Sequence, residues 1–346
     1  MDILRFEELP ERIEDEAALE ELLSRPSQAL VDDLARLDGD LIVLGVGGKV
    51  GPTLARLAKR ATPDRRVIGV ARFSDVALRR RLEGWGIETL QADLLDPDAV
   101  EALPKVANVV YMAGKKFGAE QEKPFTWAMN THVPALVARA FRDSRIVAFS
   151  TLCIYPFGAV RHVEIDESTE PGPRGEYAAS CVGRERIFQY FSGRYGTPGR
   201  LIRLNYAIDM RYGVLFDVAR WVMTGTPIPL ATGHANVIWQ GDASSQILRS
   251  LLHTTTPASP LNVGGPDATS IRWLAERFGE RFDRTPVFEG KEADDAWVNS
   301  CARAERLFGY PLVPVVRMID WVADWAGRDM PVHEKPTRYE VRDGRF

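Results

Sequence analysis

From about residue 40 onward, short runs of consecutive apolar residues alternate with amphipathic stretches. "DLIVLG", "RRVIGVAR", "NVVYMAG" and "RIVAFST" each read as a strand buried on both faces, because their apolar residues are consecutive rather than alternate. A further strand is expected just before "QADLLD". Helical segments lie between them: "GPTLARLAKRA", "DPDAVEALP" and "FTWAMNTHVPALVARAFRD". "GRLIRLNYA" adds a later strand, and "SPLNVGG" another. Strand and helix in alternation predict an α/β protein with a Rossmann-type, doubly wound parallel sheet. Ahead of this region, residues 1–38 predict two helices. The second, "PSQALVDDLARLDG", places Leu30, Val31, Leu34 and Leu37 on one face, with Gly39 as its stop. A helical extension packed on the main domain is the expectation, and an acidic docking arm is the alternative.

Residues 39–207, with about 235–265, form the expected dinucleotide-binding domain. Residues 208–234 and 266–346 are richer in Trp, Pro and loops and predict a smaller substrate-binding lobe with the helices "SIRWLAERFGERF" and "VVRMIDWVADWAG". The polar tail "EKPTRYEVRDGRF" is either mobile or a strap over the site.

Composition narrows the class. The chain has 346 residues, 45% hydrophobic and 27% charged, as expected for a soluble globular protein. A net charge of −4 gives no reason to expect nucleic-acid binding. No apolar run is long enough for a membrane span, and the acidic start "MDILRFEELPERIEDEAALEELL" is unlike a secretory signal. Cys153, Cys181 and Cys301 are too widely spaced for a disulfide framework and read as free thiols in a reducing cytoplasm. The five histidines show no metal-ligand spacing, so no metal is expected.

The first strand–helix junction carries the chemistry. "LIVLGVGGKVGPTLARLA" places Gly45, Gly48 and Gly51 at GxxGxxG spacing, with Gly47, Lys49 and Val50 in the same loop. Glycine permits close backbone approach to a pyrophosphate, and the following helix offers unpaired N–H groups. The second strand ends in Ala71, with Arg72 next and no carboxylate to hold a ribose diol. Arg72 can pair with a 2′-phosphate, which favours NADP over NAD. A solvated strand-end charge is the competing reading. Asp93, followed by Leu94, is a candidate for the adenine edge or an ordinary turn aspartate.

With these segments in order, residues 40–320 resemble the extended short-chain dehydrogenase/reductases, the NAD-dependent epimerase/dehydratase family. The resemblance rests on "GVGGKVG", "VVYMAGKKFG", Asn130 in "MNTHVPALV", "VAFSTLCIYPFG", Tyr177 with its helix, "LIRLNYA" and "LNVGGPDATSIRWLAERFG". It implies hydride transfer at a hydroxyl-bearing carbon of a carbohydrate-like substrate. By position it implies Tyr177 as acid/base and Thr151 as holder of the substrate oxygen. Asn130 would support the site through water, and Met112, Ala113 and Gly114 would line the cofactor. Asn205, Tyr206, Arg211, Trp239, Gln240 and Asp242 fall on segments that border the substrate in the family. A homodimer through helices near 124–142 and 177–195 is a further implication.

The chain departs from the family where its catalytic lysine belongs. In "GEYAASCVGRERIF" that position is Cys181. A free tyrosine titrates near ~10, so a base poised near pH 7 needs about 4 kcal/mol of help. Arg184 shares a helical face with Tyr177 and Cys181, and Lys115 or Lys116 can enter from the phosphate side. Three readings stay open: an oxidoreductase or epimerase with a relocated cation; a reductase, lyase or isomerase using Tyr177 as a neutral acid; and a non-catalytic NADP-binding regulator or scaffold. Cys181 is a candidate nucleophile, but a small packed residue is the simpler reading.

Overall fold

The computed structural model describes residues 2–335 and 337–345; Pro336 and Phe346 of the tail lie outside them. The expected apolar runs form β1 (Leu41–Leu44), β2 (Val67–Ala71), β3 (Glu88–Gln91), β4 (Asn108–Tyr111) and β5 (Arg145–Thr151). They continue one parallel sheet of seven strands in the order Ser259–Val263, Gly199–Leu204, β5, β4, β1, β2, β3. Every residue of β1 and β4 is buried, which is why neither alternates in polarity. The winding reverses between β1 and β4, so a crevice opens at their carboxyl ends.

Two helical layers cover the sheet. On one face, Leu54 and Leu57 of helix Gly51–Ala61 pack with Ile247 of helix Gln240–Arg249 and with Leu30 and Leu34 of helix Gln28–Ala35. Leu30 and Leu34 are fully buried one turn apart, each contributing roughly 1.5–3 kcal/mol, and the Ser27 hydroxyl caps their helix by accepting from Leu30 N–H at 3.3 Å. On the other face, Val133 and Val137 pack with Phe188 of the long helix Gly175–Tyr195.

A second core gathers the helices Val214–Thr224, Ile271–Phe282 and Val315–Gly327 around Trp239, Trp321 and Trp325. The N-terminal segment divides between the two cores. Leu19, Leu22 and Leu23 of helix Glu16–Leu23 join the second, whereas the next helix joins the sheet layer. Arg211 fastens this arrangement, pairing with Asp209 at 2.7 Å and with Glu16 and Glu20 at 3.2 and 3.5 Å. The tail is a strap. Asp217 accepts from the N–H and hydroxyl of Thr337, Tyr339 is fully buried, and the Gly344 carbonyl lies against Gly175, two residues before Tyr177.

Inside the sheet layer, Arg203 donates to both oxygens of Glu185, at 3.1 and 2.9 Å, and Ser150 donates to the same carboxylate at 2.6 Å. Both members of this pair are buried, so removing one strands the other's charge. Glu185→Ala is expected to cost about 3–5 kcal/mol in urea unfolding, and Glu185→Asp less; equal midpoints for wild type and Glu185→Ala would refute the assignment.

Candidate active site

The glycine loop follows β1 as the sequence requires. Gly45 has φ +90° and lies so close to β4 that a Cβ would come within 2.6 Å of Ala113 N. A Cβ on Gly51 would overlap the Val46 carbonyl, so this glycine lets the helix start against the strand. Gly47 and Gly48 are different: a Cβ there would meet nothing nearer than 3.5 and 3.8 Å. They face a cleft of about 500 Å³ that runs from the loop past Arg72 to Asp93 and Leu94, with Met112, Ala113 and Gly114 opposite. Bare backbone, a helix start and a cleft of this length fit the phosphates and adenosine end of a dinucleotide. Arg72 is exposed at the cleft, while Asp93 accepts from Leu95 N–H at 3.0 Å and turns the chain there. Lys49 is not among the residues lining this cleft, and its amine lies over the Tyr212 ring.

Asn130 lies in a π-helical turn, Ala128–His132, inserted between helices Lys123–Trp127 and Val133–Ala140. All its capacity is used. Its Oδ1 accepts from Lys115 N–H at 2.9 Å and from the Arg184 guanidinium at 2.6 Å; its Nδ2 donates to the Lys115 carbonyl and the Ser180 hydroxyl, each at 2.9 Å. Arg184 also donates to the Phe149 carbonyl at 2.9 Å, and any Cβ on Gly114 would overlap its Nη2. The link from helix to turn is therefore direct, through a buried guanidinium.

Thr151 ends β5 and accepts from Cys153 N–H at 3.2 Å. Its hydroxyl stands in hydrogen-bonding position to the Tyr177 phenol, and that phenol in turn to the Cys181 thiol. Burial, then the neighbouring thiols of Cys181 and Cys153, drive the phenol well above its usual range; Arg184 and Thr151 oppose this without reversing it. Burial likewise pushes the Cys181 thiol up to about 11, so it is neutral near pH 7, fully buried, and not a nucleophile.

The two adjacent lysines part company. Lys115 pairs with Glu122 and faces the Phe125 ring, away from the phenol. Lys116 turns inward, its Nζ 5.9 Å from the Tyr177 ring centroid and 5.4 Å from that of Phe117. Burial lowers its pKa, and the Cys153 and Cys181 sulfurs act the other way.

Residues 41–208 match the sequence model described as the NAD dependent epimerase/dehydratase family. No curated protein matches the chain. Among solved structures it is similar to a Thermus thermophilus UDP-glucose 4-epimerase complexed with NAD, at 17% identity and TM-score 0.67 over 82% of this chain and 98% of that one. It is similar to the Bacillus cereus UDP-glucuronic acid 4-epimerase in complex with UDP-glucuronic acid and NAD, at 14% identity and TM-score 0.67 over 84% and 99%. A Thermotoga maritima UDP-glucose 4-epimerase with UDP-glucose gives 15% and 0.67 over 84% and 99%. These likenesses show that the epimerase fold extends well beyond the family segment.

On the lobe side, several positions that the family resemblance implied are elsewhere. Trp239 is fully buried, edge-on to Trp321 in the second core. Arg211 is consumed by its carboxylates, because three acids converge on it from two parts of the chain. Gln240 donates to Thr53 at 3.1 Å, and Asp242 accepts from Val313 N–H at 2.9 Å; both are structural. Asn205 donates to Asn299 at 2.7 Å and accepts from Tyr206 N–H. Tyr206, like Tyr177, packs against the buried cluster of Leu152, Cys153, Ala178 and Trp297. Phe117, Tyr212 and Tyr339 complete this wall and were not anticipated; the one usable signal was an aromatic residue in an otherwise polar tail. Among the described residues no cluster of His, Cys, Asp or Glu is placed to hold a metal, and no helix is long and apolar enough to cross a membrane.

The glycines separate structural from ligand-facing roles. Gly51→Ala is expected to lose about 1–3 kcal/mol of stability through overlap with backbone, while Gly48→Ala melts with wild type. Equal melting temperatures for the two variants would contradict the loop geometry.

Proposed function

We propose that this chain is an NAD(P)-dependent enzyme of the epimerase/dehydratase type acting on a sugar or sugar derivative. The observation that carries the reading is the meeting of Thr151 and Tyr177 at the carboxyl edge of the sheet, beside the glycine-lined cleft. The UDP-sugars and NAD held by the similar structures support it.

In this reading the backbone from Gly47 to Gly51 and the start of helix Gly51–Ala61 hold the pyrophosphate. Arg72 receives a 2′-phosphate, which makes NADP the preferred cofactor and NAD the alternative. Asp93 and Leu94 border the adenine, and Met112 to Gly114 line the path toward the phenol. When bound, the dinucleotide supplies hydride exchange. Thr151 positions the substrate oxygen and Tyr177 exchanges a proton with it. Because burial keeps the phenol protonated near neutral pH, Tyr177 works as a neutral acid. That suits ketone reduction, elimination or isomerisation better than oxidation of an alcohol. Arg184 and Lys116 are the cations that replace the family's lysine, from one turn along the helix and from the loop after β4. The three free, buried thiols fit a reducing cytoplasm. Exposed Phe125, Trp127, Tyr190 and Tyr195 on the helices near 124–142 and 177–195 fit a homodimer.

With UDP-glucose and UDP-glucuronic acid as probes, Tyr177→Phe is expected to lower turnover by about 10²–10⁴-fold while leaving NADPH affinity within a factor of about 3. Turnover by Tyr177→Phe at the wild-type rate refutes the role. A protein that binds NADPH but turns over neither probe is the regulator instead.

The cation is tested by pH. Arg184 favours the phenolate, so Arg184→Gln raises the phenol pKa further and moves the rise in alcohol oxidation to higher pH. Arg184→Lys, if folded by circular dichroism, moves it back. An unchanged profile in Arg184→Gln removes Arg184 from the chemistry.

A further inference from the structure

Lys49 sits in the glycine loop at a position whose side chain does not line the dinucleotide cleft. Its amine lies 3.0 Å from the Tyr212 ring centroid and 5.2 Å from that of Phe117. The Phe117 ring thus has two lysine amines near it, since Lys116 is 5.4 Å from the same centroid and 5.9 Å from that of Tyr177. The Lys49 Nζ is buried and makes no hydrogen bond among the described residues. Two acids act on it electrostatically, and neither hydrogen-bonds to it. Asp217 accepts from the N–H and hydroxyl of Thr337, and Asp209 accepts from Arg211 through both oxygens. A buried ammonium with no hydrogen bond is costly, which burial expresses as a lowered pKa, and an anion brought to it would restore the charge.

We propose that Lys49 and Lys116 together receive an anionic substituent of the substrate beside Tyr177, so that the sugar handled here is an acid or a phosphate ester rather than a neutral hexose. This rests on the proposed sugar-enzyme reading and narrows its substrate class. The aromatic wall of Phe117 and Tyr212 excludes water around the amine and strengthens its pull on an anion. Lys49 also has the titration such a receptor needs. Burial, then the charges of Lys116 and Lys335, lower it to about 7, while Asp217 and Asp209 raise it; His333 and Tyr212 are the other titratable neighbours. An arriving anion favours the ammonium, so binding takes up a proton and weakens as pH rises through this value.

The test is calorimetry on the full chain saturated with NADPH or NADH, using UDP-glucuronic acid and UDP-glucose, which share every group but the carboxylate. Free glucuronate and glucose 6-phosphate, with glucose as control, distinguish carboxylate from phosphate. Roughly tenfold tighter binding of the anionic member is expected at about pH 6, shrinking by about pH 8.5. Lys49→Met should abolish the preference, Lys49→Arg should retain it, and NADPH affinity should stay within a factor of about 3 in both. Equal affinity of both members for wild type, no binding of any anionic probe, or a Lys49→Met variant that loses dinucleotide but keeps the preference, each overturns the proposal. Failure to bind either dinucleotide refutes the parent reading instead; binding of dinucleotide without anion preference refutes only this one.

Discussion

The buried guanidinium of Arg184 is the constraint on which the site depends. It bridges the π-helical turn at Asn130 to the end of β5 through the Phe149 carbonyl, and it presses on Gly114. Three sequence features follow from that one placement. Gly114 must stay bare, Asn130 must present its oxygen, and the residue one turn earlier must not carry a second positive charge. Cys181 meets the last condition, since a lysine there would add a like charge beside a group that is already desolvated.

The same economy governs the lobe side. The tail is held to the second core because Asp217 binds Thr337 and because Tyr339 has a buried slot beside Trp221. Arg342 ties the strap to Ala231 and Asp295 beyond. Burial works against the charge of Lys49 and Lys116, while Asp217 and Asp209 favour that of Lys49, so the local balance is not readable from the net charge of −4.

The sheet was legible because consecutive apolar residues such as those of β1 and β4 have no other arrangement that buries both faces. The glycine loop was legible because its spacing and its place before a helix coincide. The lobe was harder. Trp239 ends a strand that borders the cleft, but it turns into the core; a tryptophan at a strand end carries no mark of the side it takes. Arg211 looked like a ligand for polar groups, and only the folding of residues 16 and 20 onto residue 209 shows it spoken for. Lys115 and Lys116 are adjacent and chemically identical, yet one meets Glu122 and the other enters the site. Such choices are made by long-range contacts that no local pattern encodes.

Magnitudes decide what the exchanged cations can do. A charged Lys116, taken from the ring centroid at 5.9 Å, would stabilise a phenolate by at most about 3 kcal/mol at an effective dielectric of about 20, and burial works against that charge. A base near pH 7 needs about 4 kcal/mol before any burial penalty is counted. Here burial is the largest influence on Tyr177, with two thiols acting in the same direction. The Arg184 charge must therefore cancel desolvation as well as make up the difference, from a guanidinium already shared between Asn130 and Phe149. Neither cation alone closes that gap, so the phenol keeps its proton near neutrality.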